Sequence, residues 1–581
     1  MINNDFRFLN NGHVIPTTEG GYADQPSVVA LSGGSMVCCV TTGSPVEGES
    51  GTYLAILRSF DGGKSWTAPV PIDDPAWESS YGALVLDKNE RVYCFYDANL
   101  DHYVNGECGF RRIDMGGHFC MRYSDDGGAT WSDRREIDIR FTDIDIRYPF
   151  IFIEGKQYRW FWNVARPYFD GDDLYITVAK PYMPFFLNEK PEKIFETARG
   201  VLLVAKGLAN DPEAPFVTLP EGDMEMMPYP GDDLCEEHCC VKLSDGTLFI
   251  ISRSEKGHPV CFISRDSGKT FSNAFLPEHI GGLPVKHPRA ANFIWKLGEG
   301  KFVYWFHNAG PLPNESYYYR NPSWLCPCFE VDTPEGKTLS FGQPEIFLYH
   351  PSKHVGFSYP DIVYHDGIYK VTETQKRVAR MHFIPNNFMD RILAQNTLTQ
   401  KLEGIEMETL VKEGYPEQVY VNVTHDDPED RSSKQENGGN AWVFEGTFKK
   451  GDVILNAYDR NEGGFFVSIG DDGAIVCRAG GSASNFTLEG SINVCDGKKH
   501  HIAWVIDAQA QISFLVIDGC FDNGGEKAFV GYTRFSSAIS KIYTRKGVTL
   551  GENVTRATLV PRAIMTTEAV ADYRASETYK D

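Results

Sequence analysis

The sequence predicts an all-β protein, with a six-bladed β-propeller in residues 1–395 and a jelly-roll β-sandwich in residues 396–581. Two observations carry this prediction. A hairpin pattern recurs six times, and that pattern stops near residue 395. A third observation agrees with both, because helical periodicity is scarce and apolar runs are short and bounded by turn residues.

The recurring hairpin consists of two short apolar runs joined by a turn that contains Gly, Asp or Asn. Successive copies are separated by 55, 67, 90, 54 and 67 residues, which leaves room for a four-stranded sheet in each copy. Six such units favour a propeller, because a β-sandwich needs fewer units and a β-helix has a shorter period. The aligned anchor positions are Leu31, Leu86, Ile153, Leu243, Leu297 and Tyr364.

A second repeat is the turn SFDGGKSW at residues 59–66, which returns as SDDGGATW at 124–131 and SRDSGKTF at 264–271. Its Gly residues allow backbone angles that other residues resist, and its Asp can accept hydrogen bonds from nearby backbone N–H groups. The aromatic residue at the end anchors the next strand. We therefore interpret the motif as a structural hairpin turn.

Composition excludes several classes of partner. The net charge of -23 argues against binding to nucleic acid or to an anionic membrane surface. The first residues have no signal-peptide pattern and no run of about 18 apolar residues occurs, so we expect a cytoplasmic protein. Most of the fourteen cysteines lie in apolar runs, which favours buried free thiols, and we predict no metal site and no cofactor.

Propeller geometry converts the alignment into a predicted site. The first strand of each blade lies nearest the axis, so residues just before it and residues just after the second strand share one mouth of the central channel. Converging carboxylates, Arg, His and Tyr at such a mouth are typical of a sugar site. The first group is Asp24, Arg147, Glu236, Glu237, His238, Arg289 and Tyr359, and the second is Asp97, Arg166, Arg253, His307, Asn308, Glu373 and Lys376.

These features resemble the sialidase family over residues 10 to 395. The repeated turn is similar to the sialidase Asp box, and the six-unit layout is similar to the six-bladed sialidase propeller. The resemblance implies a Tyr nucleophile with a carboxylate base, arginines that bind the substrate, and a carboxylic acid on a loop of the first blade. Carried onto this sequence, these are Tyr359, then Glu236 or Glu237, then Arg253 and Arg289, and finally Glu47 or Glu49.

One departure from the family is at Asp24-Gln25-Pro26, where sialidases have Arg-Ile-Pro. That Arg is one of three that hold the substrate carboxylate, and an Asp repels a carboxylate. The departure predicts a substrate other than ordinary sialic acid. Asp24 is then expected to accept hydrogen bonds from sugar hydroxyls, to pair with Arg289, or to act as a general acid or base. We predict that Asp24, Glu237, Arg253, Arg289 and Tyr359 face one pocket.

Residues 396–581 contain alternating strands such as AWVFEGTF and HHIAWVIDA, separated by Gly and Asp turns. They resemble the laminin-G or concanavalin-like modules that accompany carbohydrate enzymes. Glycan binding, a purely structural role and homo-oligomer formation through this sandwich all fit the pattern.

Three functions follow for the whole chain. The favoured one is an exo-acting glycoside hydrolase that releases a terminal sugar from a carbohydrate substrate. The second is a polysaccharide lyase, in which His238, His307 and Tyr359 abstract a proton beside a uronate. The third is a non-catalytic glycan-binding propeller.

Overall fold

The computed structural model describes residues 5–102, 114, 118–147, 152–153, 156–157, 161–182, 197–310, 319–413, 438–482, 484–536, 538–539, 542 and 546–579. Strands dominate these residues, as the sequence predicts. The helices in the described residues are short. The α-helices are Asp143–Arg147, Asn386–Leu393, Met407–Glu413 and Thr566–Ala575, and the 3-10 helices are Leu9–Asn11, Pro75–Trp77 and Gly525–Lys527.

The described residues of the first part of the chain form seven antiparallel sheets, which we group into six blades because the third predicted hairpin is a separate two-stranded sheet. We number these blades 1 to 6 in chain order. Blade 1 is Asp24–Ala30, Met36–Thr42, Tyr53–Ser59 and Val70–Pro71, and blade 2 is Ser79–Leu86, Val92–Ala98, His118–Ser124 and Arg135–Glu136. Blade 3 is the hairpin Phe152–Ile153 and Lys156–Gln157 with the sheet Tyr168–Asp170, Asp173–Tyr182, Thr197–Ala205 and Phe216–Leu219.

Blades 4 to 6 follow the same plan with two variations. Blade 4 has three described strands, Glu236–Lys242, Leu248–Arg253 and Val260–Ser264, and a single bridge from Cys261 to Phe275 stands where a fourth strand was expected. Blade 5 is Phe293–Gly298, Lys301–Phe306, Trp324–Thr333 and Gly336–Phe341, with Glu345–Ile346 paired to its third strand. Blade 6 is Ser358–His365, Ile368–Thr374, Ala379–Ile384 and the N-terminal strand His13–Ile15.

The six blades close into a ring. The first strand of blade 1 contacts the first strands of both blade 2 and blade 6, and the first strands of blades 4, 5 and 6 contact one another in turn. Blade 3 completes the ring through Tyr168–Asp170, which contacts blade 2, and Asp173–Tyr182, which contacts blade 4. The ring is fastened in blade 6, where Val14 of the N-terminal strand pairs with Arg380. This closed arrangement is the predicted six-bladed propeller, in which radial packing protects the sheet edges.

The repeated eight-residue turn has the same construction in all three copies. In the first copy the Asp61 carboxylate accepts hydrogen bonds from the backbone N–H groups of Lys64 and Ser65 and from the Ser59 and Ser65 hydroxyls. Asp126 and Asp266 make the corresponding bonds in the other copies. All three turns lie on the outside of their blades, where they connect the third strand to the segment that follows it.

The C-terminal part is a β-sandwich of two antiparallel sheets, as the sequence predicts. One sheet contains, in order, Ile405–Glu406, Val554–Val560, Gly439–Gly446, His500–Asp507, Ile512–Ile517 and Cys520–Asp522, with Thr533–Arg534 paired to Ile512–Ile517. The other contains Asn485–Glu489, Ile475–Gly481, Gly463–Ile469, Val453–Asp459 and Thr549–Leu550. Trp442, Phe465 and Trp504 pack between the sheets, and their burial is a large part of the apolar driving force.

The two parts share a continuous apolar core. Trp324 of blade 5 is fully buried and packs edge-on against Phe521 of the sandwich, with ring centroids 5.5 Å apart. The boundary at residue 395 remains our prediction. The strand Ile405–Glu406 lies ten residues after it and already pairs with the sandwich.

Two predictions from composition can be compared with the described residues. Every cysteine among them is a free thiol, and all except Cys495 and Cys520 are buried. In the same part of the chain, no helix is long and apolar enough to cross a membrane.

Candidate functional site

A β-bulge recurs at the start of the first strand in four blades. In blades 1, 2, 4 and 6 the pairing of the first two strands slips by one residue, and the first residue inside the slip has a positive φ. No Gly stands at these positions, so the backbone is held in a region that side chains resist, as is common at functional sites. The four residues are Gln25 (φ 50°), Tyr81 (53°), Glu237 (51°) and Tyr359 (49°).

Two of these bulge residues contact each other across the channel mouth. The Tyr359 hydroxyl donates a hydrogen bond of 2.9 Å to Glu237 Oε1. The same oxygen accepts a hydrogen bond of 2.7 Å from Arg253 Nη1. All three side chains are buried, with residue exposures of 7%, 4% and 7% for Tyr359, Glu237 and Arg253. The ion pair and the hydroxyl are therefore largely shielded from water, which strengthens their interaction.

A second carboxylate, Glu236, connects this group to Arg289. Glu236 Oε1 lies 3.2 Å from Arg253 Nε and 3.0 Å from Arg289 Nη2. Arg289 also reaches Glu255, with its Nε 3.2 Å from Glu255 Oε1. Each of these two arginines is thus paired with two carboxylates.

On the other side of Tyr359 lies Asp24, buried to 1% exposure and paired with Lys376. Lys376 Nζ is 2.9 Å from Asp24 Oδ2, 3.7 Å from Glu47 Oε2 and 4.4 Å from the centroid of the Tyr359 ring. The Tyr22 hydroxyl donates a further hydrogen bond of 2.7 Å to Asp24. The predicted pairing of Asp24 with Arg289 is wrong, because Lys376 occupies the space beside Asp24.

Arg320 is a further cation of this group that the sequence analysis missed. It is buried to 6% exposure and donates a hydrogen bond of 3.3 Å to Ser358, the residue before Tyr359. Its positive charge acts to lower the pKa of both Glu237 and Tyr359. Arg320 precedes the third strand of blade 5, a position that an alignment of the inner hairpins does not cover.

Burial and neighbouring charges determine the protonation states of Tyr359 and Glu237. Burial, with the neighbouring Glu237 charge next in size, raises the pKa of Tyr359 well above its ordinary value, so the phenol is protonated at neutral pH. Burial also acts to raise the pKa of Glu237, but Arg253, Tyr359 and Arg320 together hold that pKa below its ordinary value. The resting pair is therefore a phenol that donates to a carboxylate. Burial raises the pKa of Glu236 and of Asp24, against the opposing effect of their cations.

The structure brings together Asp24, Glu47, Glu236, Glu237, Arg253, Arg289 and Tyr359 from the predicted site residues, with Lys376 and Arg320 beside them. We call this set the mouth cluster. The other predicted residues lie outside this cluster.

His238 and Glu373 point away from the mouth cluster. The His238 imidazole bonds to Ser252 at 2.6 Å and packs on Gly200 of blade 3, where a Cβ would overlap it. Glu373 lies inside the second strand of blade 6, fully buried, with its Oε1 3.3 Å from His382 Nε2. The prediction is wrong for both residues. The bulge at Glu237 directs the next residue, His238, into the blade, and strand alternation directs Glu373 into the blade.

Arg147 and Arg166 also fall outside the cluster. Arg147 is exposed on its short helix, where it pairs with Asp143 at 2.7 Å. Arg166 bonds to the Ile362 carbonyl at 2.9 Å and to Asp361 at 2.7 Å, and it lines a cavity of about 1180 Å³ at the opposite mouth of the channel. That mouth is formed by the turns of the inner hairpins, such as Gly246. Arg166 therefore connects blades at the far end of the channel.

Three further predicted site residues, His307, Asp97 and Glu49, also lie outside the mouth cluster. His307 is fully buried and stacks on His287 with ring centroids 5.7 Å apart, and burial lowers its pKa well below the ordinary value. Asp97 is 3% exposed, and the charge that acts on it is that of Asp114. Glu49 is exposed on the loop that carries Glu47, so Glu47 is the one that meets Lys376.

No protein-family model matches this chain, and no curated protein does. Similar solved structures include a protein of unknown function from Dyadobacter fermentans, at 15% identity and TM-score 0.42, covering 64% of this chain and 97% of that one. A sialidase from Trypanosoma rangeli has 14% identity and TM-score 0.42, covering 98% and 97%. A mutant of NanB sialidase from Streptococcus pneumoniae has 12% identity and TM-score 0.43, covering 65% and 70%. Similarity of this degree does not establish an activity for this chain.

Proposed function

We propose that this protein is an exo-acting glycoside hydrolase that releases a terminal sugar other than ordinary sialic acid. The observation that carries the proposal is the hydrogen bond of 2.9 Å from the Tyr359 hydroxyl to Glu237, buried between Arg253 and Lys376 at the channel mouth. A neutral phenol beside an ionised base is a competent nucleophile for an anomeric carbon.

The proposed reaction has two steps. In the first, the Tyr359 oxygen bonds to the anomeric carbon while its proton passes to Glu237. Glu47 enters this step in its protonated form and donates its proton to the glycosidic oxygen as the bond from that oxygen to the anomeric carbon breaks. In the second, Glu47 takes a proton from a water molecule whose oxygen attacks the same carbon. The bond to Tyr359 breaks, and the phenolate recovers its proton from Glu237. Arg253 stabilises the negative charge on this pair in both steps.

The charges of the mouth cluster support a substrate without a strongly held carboxylate. Arg253 is paired with Glu236 and Glu237, Arg289 with Glu236 and Glu255, and Lys376 with Asp24 and Glu47. Binding a carboxylate there requires these cations to leave existing partners, and separating a buried pair is costly. Sugar hydroxyls require no such exchange, since carboxylates accept hydrogen bonds from them.

The lyase alternative receives less support from the geometry. It needs an imidazole close to Tyr359, whereas His238 bonds to Ser252 and His307 stacks on His287. Measurement of glycoside turnover distinguishes a non-catalytic glycan-binding role from hydrolysis.

The test is a panel of aryl glycosides, neutral and acidic, incubated with wild type and with Tyr359→Phe. We expect one neutral glycoside to be hydrolysed by wild type and not by the variant, with negligible release of sialic acid. A 2-fluoro glycosyl fluoride of the same sugar is expected to label the peptide that contains Tyr359 in a mass spectrum. An ultraviolet signal from an unsaturated uronate would favour the lyase, and binding without turnover would favour the glycan-binding role. Efficient release of sialic acid would contradict the proposed substrate.

A further inference from the structure

Residues 523–534 of the sandwich, here called the interdomain loop, contact the propeller on both sides of Arg320 in the sequence. The middle of the loop pairs with the end of an inner hairpin of blade 5. Gly310 N donates to the Phe529 carbonyl at 2.7 Å, and Gly531 N donates to the Asn308 carbonyl at 3.0 Å. These bonds flank an antiparallel bridge between Ala309 and Val530, so the two parts of the chain share a short stretch of β-pairing.

The same loop holds the segment that leads to Arg320. The Phe529 ring meets the Tyr319 ring edge-on, with centroids 4.9 Å apart. Arg534 Nη2 donates to the Asn321 carbonyl at 3.0 Å. Arg320 lies between these two contacts, and its own side chain points to Ser358 and the Tyr359–Glu237 pair.

The loop itself is fixed to the propeller by a buried lysine. Lys286 is 3% exposed, and its ammonium donates to the Asn523 carbonyl at 2.6 Å and to the Ala528 carbonyl at 2.5 Å. Asn523 Nδ2 donates in turn to the Pro284 carbonyl at 2.7 Å. The first half of the loop is thus anchored to residues 284–286 of the propeller.

Close packing makes this contact specific. Asn308 is fully buried with a φ of 48°, and a methyl group on Gly531 would overlap its side-chain amide. A small displacement of the loop is therefore transmitted to residues 308–310 and 319–321, since buried surfaces in contact do not deform independently.

We propose that the interdomain loop of the sandwich is a positioning element of the active site, with Phe529 as the residue that sets the place of Arg320. This inference rests on the proposed function. Arg320 acts on Glu237 and Tyr359, and displacing a charged group by about 1 Å costs up to about 100-fold in rate. The sandwich thereby takes part in turnover without touching the substrate.

The experiment compares Phe529→Ala with Phe466→Ala in the full-length protein. Both residues are partly buried phenylalanines of the sandwich, but Phe466 lies on the strand Gly463–Ile469, away from the loop. We expect Phe529→Ala to lower kcat/KM about ten-fold. It should also accelerate hydrogen–deuterium exchange in residues 319–324. Phe466→Ala should leave both unchanged, and equal thermal midpoints show that both variants fold.

A double-mutant cycle with Arg320→Met separates positioning from general weakening. If Phe529 acts through Arg320, the double variant should lose no more activity than Arg320→Met alone. Additive losses, or unchanged exchange in residues 319–324, would overturn the inference. If wild type hydrolyses no glycoside, the proposed function has failed, but the exchange measurement needs no substrate and still decides whether the loop holds this segment. Gly531→Ala is a second variant for this test, because the added methyl group would overlap the Asn308 side chain. It should lower kcat/KM and accelerate exchange in residues 319–324, as Phe529→Ala does.

Discussion

Blades 2 and 6 place a tyrosine at the same bulge position, and each tyrosine donates to a carboxylate. Tyr359 donates to Glu237 at 2.9 Å, and Tyr81 donates to Asp114 at 2.7 Å. The backbone is alike as well, with φ of 49° and 53°. The charged groups described around the two pairs differ, and under the proposed function the cations beside Tyr359 suit it to attack a sugar.

Cations contact the Tyr359 pair, and the described neighbours of Tyr81 include a carboxylate and an aromatic ring. Arg253 and Lys376 contact the Tyr359 pair. The Tyr81 ring instead lies 6.1 Å from the Trp162 ring. Asp97 occupies the register position that Arg253 has in blade 4, and Asp114 lies near it. A developing phenolate is stabilised only where positive charge is already in place.

The largest expected effect is a contrast between the two tyrosines. Tyr359→Phe removes the proposed nucleophile and should lower kcat by at least about 1000-fold. Tyr81→Phe is the same chemical change at the equivalent position and should stay within about ten-fold of wild type. Steady-state kinetics on the substrate from the glycoside panel makes the measurement. Similar losses in both variants would mean that the cations do not distinguish the two sites.

The carboxylate partner of Tyr359 gives the next effect. Glu237→Gln keeps the shape but removes the base, and kcat should fall about 100-fold. Because the pKa of Glu237 is held below its ordinary value of 4.5, the wild-type kcat/KM should not decline on account of this group until the pH falls below 4.5. Circular dichroism at each pH serves as the control for folding. A decline centred near pH 6 would contradict the assignment of Glu237.

Substitution of Asp24 should have a smaller effect on activity, because Asp24 acts by holding Lys376 above the Tyr359 ring. We expect Asp24→Asn to lower kcat/KM about ten-fold. Lys376→Met should cost a similar amount, and the two changes together should cost little more than either alone. Wild-type activity in a folded Asp24→Asn variant would show that this ion pair is not needed.

Asp97 gives the smallest expected change and concerns stability. Burial, followed by the charge of Asp114, raises the pKa of Asp97 well above its ordinary value. A carboxyl whose folded-state pKa is raised loses stability as the pH rises above 3.8, by about 1.4 kcal/mol for each pH unit until the folded-state value is reached. Asp97→Asn should therefore raise the free energy of unfolding at pH 7 but not at pH 4.

Urea unfolding at the two pH values tests the Asp97 prediction, and Glu237→Gln is the matched control. Glu237 has the opposite pKa shift and is paired with Arg253, so its neutralisation should lower stability at pH 7. The same sign of change in both variants would mean that the surroundings of the two carboxyls do not differ as described.

Much of the fold and part of the site could be predicted from the sequence. Gly and Asp turns mark each hairpin, and hairpin order then places Glu237, Arg253 and Tyr359 at one mouth. The bulge could not be predicted, because its positive φ falls on Gln25, Tyr81, Glu237 and Tyr359, which carry no local signal for it.

The errors in predicting individual site residues also have physical explanations. Glu373 was expected at the mouth, but the second strand of blade 6 continues to Thr374, so its side chain faces His382 instead. Arg320 was missed because it precedes a third strand, and its place depends on contacts with Ser358 and with the distant interdomain loop. Contacts between residues two hundred positions apart leave no periodic trace in the sequence.

The strand His13–Ile15 also has a consequence during synthesis. Its partner Ala379–Ile384 emerges from the ribosome about 360 residues later, a delay of tens of seconds at typical elongation rates. Until then the ring stays open, and the inner strands of blades 1 and 5 lack their neighbour in blade 6. Such a nascent chain exposes unpaired strand edges and apolar surface for the whole interval, so its yield in the cell should depend on chaperones that bind it before blade 6 is complete.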